Sequence, residues 1–82
     1  MKKDPKFFLK HILESIEVIE DFTKDMEEKE FMKSVKTRDA VIRRLTIIGE
    51  AANNLPDSLR EEYSEVSWGD IIGLRNLLTH KY

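Results

Sequence analysis

Between Thr37 and Pro56 the apolar residues Val41, Leu45, Ile48, Ala52 and Leu55 return at alternating spacings of four and three. That repeat lines side chains up on one stripe of an α-helix, and the stripe has to be covered by something. No other part of the chain alternates with the period of two that a strand requires, so the covering elements are helices as well. Asp4 followed by Pro5 is an N-cap and first-turn pair. After it Phe8, Ile12, Ile16, Ile19 and Phe22 recur every three or four residues, predicting a first helix from about Pro5 to Lys24. Asp25 to Glu30 is acidic with no apolar face, and Phe31, Met32 and Val35 suit a short helical connector that tucks an aromatic under the bundle. The second long helix then runs from Thr37 and stops before Pro56. Ser58 with Glu61 has the spacing of a capping box for a short helix ending near Tyr63. Ser67 with Asp70 has the same spacing ahead of a last helix that starts at Trp68 and buries Ile71, Leu74 and Leu78. The expected fold is all-α, a small antiparallel bundle of about four helices.

A chain of 82 residues provides one domain, 1–82, with room for one site. Its 40% hydrophobic and 37% charged residues can fold but leave a small core, which favours association with a second copy. There is no cysteine, so disulfide scaffolds, thiolate metal sites and a cysteine nucleophile are excluded, and a reducing compartment is the natural setting. Lys10, His11 and Glu14 break the apolar stretch that a secretory leader would need, and no run approaches the roughly 18 apolar residues of a membrane span. A cytoplasmic protein without membrane partners is expected. With 14 basic against 16 acidic residues the net charge is −2, so any hold on nucleic acid has to come from a local patch.

The densest polar cluster is Arg75-Asn76-Leu77-Leu78-Thr79-His80-Lys81-Tyr82. It gathers a fixed cation, an amide, an imidazole that titrates near neutrality and a phenol, a set suited to phosphodiester chemistry. A basic helix end also answers the macrodipole and the last carbonyls, which is the structural reading of the same residues. Arg75 and His80 sit about 140° and about 7.5 Å apart on a single helix, so one copy does not aim both at one phosphate. Asn76 and His80 share a face, which lets Asn76 orient the imidazole, while an Arg from a symmetry-related copy completes the pocket.

Glu50 follows an apolar turn and precedes two alanines; facing the bundle, it would need Arg75 or His80 as a donor. Gly49 beside it costs a helix interior up to about 1 kcal/mol against Ala, and small residues there let another helix approach closely. Arg38, Arg43 and Arg44, preceded by Lys33 and Lys36, could track an RNA backbone or simply form a solvated face. His11, Tyr63 and Trp68 are accounted for by packing. No glycine-rich phosphate loop, paired-histidine metal motif or nucleophile elbow is present, and neither metal nor cofactor is expected.

Arg75, four residues, His80, one residue, Tyr82 is accompanied by Arg38-Asp39-Ala40-Val41-Ile42-Arg43, Ile47-Ile48-Gly49-Glu50-Ala51-Ala52 and Trp68-Gly69-Asp70-Ile71-Ile72-Gly73-Leu74-Arg75-Asn76. Together, and in this order over nearly the whole chain, these segments resemble the HepT-like branch of the HEPN superfamily. The resemblance implies an all-helical, homodimeric, metal-independent endoribonuclease. It would be the toxin of a pair whose antitoxin is a minimal nucleotidyltransferase. It also implies that Arg75 and His80 are the catalytic pair with Asn76 in support, and that Tyr82 is the position the partner modifies with AMP. RNA is cut and DNA spared, because the attacking group is the 2′-OH. Chains of this type continue past the tyrosine with a further helical segment, so the C-terminal part reads as truncated. The alternative is a non-catalytic helical module that binds a nucleotidyltransferase partner or nucleotides.

Overall fold

The computed structural model describes residues 4–81, apart from the side chain of the last of these. They form five helices and no strand: α1 (Pro5–Thr23), α2 (Glu28–Lys33), α3 (Val35–Asn53), α4 (Asp57–Glu62) and α5 (Trp68–Lys81). The fold is therefore all-α, with three long helices and two short ones. None is long and apolar enough to cross a membrane.

Local chemistry explains most of the boundaries. The Asp4 carboxylate accepts the Lys6 N–H at 2.9 Å, with Pro5 in the first turn, so α1 begins as expected. α3 starts two residues before Thr37, because the Ser34 hydroxyl accepts the Thr37 N–H at 3.1 Å and caps the helix. The Ser58–Glu61 capping box does not form. Pro56 occupies the N-cap of α4, its carbonyl accepting from Leu59 and Arg60, and Ser58 lies already inside the helix. The start of α5 is tied back to the end of α4 by the Trp68 indole N–H, which donates to the Tyr63 carbonyl at 3.0 Å.

α3 is the central element: α1 and α5 both pack on it, and α2 leans against it. Its expected stripe is the core, with Val41, Ile48, Ala52 and Leu55 buried, Leu45 half-buried and Ala51 added. The stripe expected on α1 is only partly right. Phe8, Ile12 and Ile19 turn inward, but Ile16 and Phe22 are exposed, and the buried residue of this face is Ser15. Positions 8, 12, 15 and 19 stay within a narrow arc at about 100° per residue, whereas 8, 12 and 16 drift steadily round the helix. On α5, Ile71 and Leu78 face the bundle, but Leu74, expected in the core, is exposed together with Leu77.

α3 and α5 approach closely at Gly49. A Cβ placed on buried Gly49 would overlap the Arg75 Cβ, stand 2.8 Å from its Cγ and lie 3.2 Å from the Ile71 carbonyl. Ordinary carbon contacts are about 3.5–4.0 Å, so the backbone of α5 would have to move. Gly73, by contrast, has open space where its Cβ would be.

The two glycines therefore respond oppositely to the same change. Gly49→Ala should lower the melting temperature by several degrees, since overpacking costs about 1–3 kcal/mol and each kcal/mol is about 4–8 °C here. Gly73→Ala should raise it, because the helix gains up to about 1 kcal/mol without a clash. Equal behaviour of the two variants in a thermal melt would contradict the packing described. The buried Ser15 hydroxyl has no hydrogen-bond partner, so Ser15→Ala should leave stability unchanged or raise it in denaturant titration, and a clear loss would contradict that placement.

Candidate functional site

The crossing of α3 and α5 determines where Arg75 goes. Its alkyl stem lies over Gly49, and the guanidinium is carried to the neighbouring residue of α3, where Nη2 stands 3.6 Å from Oε1 of Glu50. Nη1 donates to Oδ1 of Asn76 at 2.7 Å. Nε is buried and has no hydrogen-bond partner. With side-chain exposures of 28% for Arg75 and 50% for Glu50, the ion pair is worth at most about 1 kcal/mol, so its effect is mainly orientation. The result is a cation held from two sides, its other Nη–H donors lacking a protein acceptor among the described residues.

His80 is not brought to this cluster. Five positions further along α5, it is exposed and makes no hydrogen bond or ion pair with the described residues. Asn76, expected to orient the imidazole, turns its carbonyl oxygen to Arg75 instead. A charge-assisted bond from the adjacent guanidinium is roughly twice as strong as one from a neutral ring, which accounts for the choice. On α5, His80 flanks the exposed strip of Leu74 and Leu77. Tyr82 lies outside the described residues.

The three arginines of α3 do not form one patch. Positions 38, 43 and 44 are about 100–140° apart on a helix. Arg43 is exposed, and Arg38 is half-buried with an unpartnered Nε. Arg44 lines a cleft with Glu14, Glu17 and Asp21 of α1. Among the described residues no group of three or more His, Cys, Asp or Glu side chains converges on a point that could hold a metal.

One feature went unread in the sequence. Between α1 and α3 a cleft of about 150 Å³ is lined by Phe8, His11, Ile47, Glu50, Ala51 and Asn54. It thus reaches the same Glu50 that pairs with Arg75. The signal was available: His11 is three residues after Phe8 and four before Ser15, on the face of α1 that meets α3.

Comparison with known proteins bears on what such a site does. The gamma-glutamylcyclotransferase and putative RNase of Methanocaldococcus jannaschii is 51% identical over all 82 residues, which make up 37% of that protein. A second putative RNase of the same organism is 47% identical over 81 residues, 99% of this chain and 74% of its own length. The probable ribonuclease HepT of Thermococcus cleftensis is 40% identical over 82 residues and is likewise covered to 74%. The chain therefore spans little more than a third of the first of these relatives and about three quarters of the other two. No solved structure gives a significant match. The family model described as Ribonuclease HepT-like matches residues 12–82. That match runs from the first half of α1 through all of α3 and α5, the two helices whose crossing seats Arg75, and with it the chain belongs to the HepT-like ribonuclease family.

Proposed function

We propose that this chain is a metal-independent endoribonuclease of the cytoplasm, the toxin of a HEPN and minimal-nucleotidyltransferase pair, with Arg75 and His80 meeting across a homodimer two-fold. The observation that carries the reading is the seating of Arg75. In a chain of a ribonuclease family, its guanidinium is held between Glu50 and Asn76 with donors to spare. Such a fork suits a phosphate that gains charge as it is attacked, because the donors are in place before the reaction begins.

The pairing of two copies is supported by a separation. Within one copy Arg75 turns to α3 while His80 stands exposed beside the apolar strip of Leu74 and Leu77. A second copy covering that strip would bring its own Arg75 or His80 to the same groove. His80 then takes the proton of the RNA 2′-OH, and that oxygen forms a bond to the adjacent phosphorus. The bond from phosphorus to the 5′-oxygen breaks, and the leaving oxygen receives a proton. Arg75 stabilises the charge on the phosphoryl oxygens throughout, with Asn76 and Glu50 keeping it in place. Tyr82 is the position at which the antitoxin attaches AMP. A bulky phosphate there blocks the groove by charge and by volume. Arg38, Arg43 and Arg44 are the proposed RNA-backbone contacts, of which Arg43 is the most open to solvent.

In buffer containing a chelator, purified protein should cut single-stranded RNA and leave the matched DNA intact. Arg75→Ala and His80→Ala, each checked for folding by circular dichroism, should each lose about 10²–10⁴ in rate. Mixing the two variants should restore measurable cleavage in heterodimers. DNA cleavage, activity retained by either variant or no recovery in verified heterodimers would contradict the mechanism. Binding of RNA or nucleotides that neither substitution affects would favour the non-catalytic module.

A further inference from the structure

We propose that the cleft between α1 and α3 is a base subsite that takes cytosine, the pyrimidine with an exocyclic amine, from the RNA strand whose phosphate Arg75 holds. The inference rests on the ribonuclease reading above. It begins with size. A cleft of about 150 Å³ has room for one six-membered ring, so a pyrimidine base fits within it and the second ring of a purine would stand outside. The walls are right for a flat ring. Phe8 on α1 and Ile47 and Ala51 on α3 supply aromatic and aliphatic surface for stacking. His11 forms the remaining wall, and its position is steadied by the Phe7 ring, the two centroids standing 4.5 Å apart.

The polar edge chooses among pyrimidines. Asn54 donates one Nδ2–H to the Glu50 carbonyl at 2.8 Å, which leaves its Oδ1 and its second Nδ2–H. Glu50 lines the same cleft, and its carboxylate Oε1 stands 3.6 Å from Nη2 of Arg75. The carboxylate can only accept, while the amide accepts through Oδ1 and can donate through its remaining N–H. They suit a base that presents an amino group, and a carboxylate accepting from the cytosine N4 amine is a familiar pairing. Uracil presents a carbonyl oxygen at that position, to which the Glu50 carboxylate has no proton to donate.

Glu50 also joins this cleft to the reaction. It lines the pocket with one side and holds Arg75 with the other, at 3.6 Å. A base seated in the cleft therefore belongs to a nucleotide next to the phosphate under the guanidinium, and the preference for that base becomes a preference for the cut.

Nucleosides carry no phosphate and cannot be cleaved, so they test the subsite separately from the enzyme. Cytidine, uridine, adenosine, guanosine and ribose 5-phosphate are each titrated into the intact protein while the ring resonances of His11 and Phe8 are followed by NMR. Cytidine should shift them saturably and bind roughly tenfold more tightly than uridine, the discrimination of one good polar contact. Ile47→Phe, which fills the cleft, and Phe8→Leu, which removes the stacking face, should both weaken the cytidine response, and the pair guards against one variant failing to fold. No shift with any nucleoside, uridine or a purine binding as well as cytidine, or the same shifts with ribose 5-phosphate would overturn the subsite. If RNA is cut while cytidine fails to bind, the subsite alone is wrong. If cytidine binds while RNA stays intact, the subsite stands and the ribonuclease reading falls.

Discussion

The contact of α5 with α3 at Gly49 is the constraint on which the rest of the structure depends. Because this position has no side chain, the stem of Arg75 can lie directly against the backbone of the central helix. A buried glycine in the middle of a helix is unfavourable by up to about 1 kcal/mol, and the close approach of two helices offsets that cost. The same approach determines the direction in which the guanidinium leaves α5. The neighbouring Glu50 and Asn76 then hold it at 3.6 and 2.7 Å. Packing and function are therefore one arrangement here: the residue that lets the helices close also places the cation.

That arrangement limits what one copy can do. The cation turns toward α3 and the imidazole is exposed on another face of α5, so the pitch of the helix that carries both keeps them apart within one copy. The apolar side chains of α5 are spread round it, so Leu74 and Leu77 stay open beside His80. Pairing of two copies along this helix answers the small core and the divided site together. Glu50 gives the site its second direction. It faces Arg75 on one side and the cleft of Phe8 and His11 on the other. In the proposed site its carboxylate would serve both the cation and the base edge.

Much of this was legible in the sequence, for reasons that can be named. The stripe of α3 was plain because its core residues are apolar, although the helix stops at Asn53, capped by Asn54, rather than running up to Pro56. Glu50 and Arg75 could be read as partners, because a carboxylate beside a helix crossing needs a donor. The start of α3 was missed by two residues, since the Ser34 cap is a local hydrogen bond that periodicity does not register. Ser15 was missed on α1 because an apolar pattern prefers Ile16 to a small polar residue, although the smaller residue is the one that lets the helices meet. The turn of Asn76 toward Arg75 depended on competition between two donors that spacing alone could not weigh. His11 shares the inward face of α1 with Phe8 and Ser15, but the cleft it lines exists only where α1 lies on α3.

In the proposed site the Gly49 contact aims Arg75 at the phosphate to be cut. The most direct test is a crystal structure of the protein with an oligoribonucleotide made uncleavable by a single 2′-deoxy sugar. The account predicts the phosphate 3′ to that sugar within hydrogen-bond distance of the Arg75 guanidinium, still flanked by Glu50 and Asn76, with a His80 imidazole from the second copy beside the missing hydroxyl. A bound strand whose phosphates all lie away from the guanidinium, with Arg75 touching only its protein partners, would contradict it.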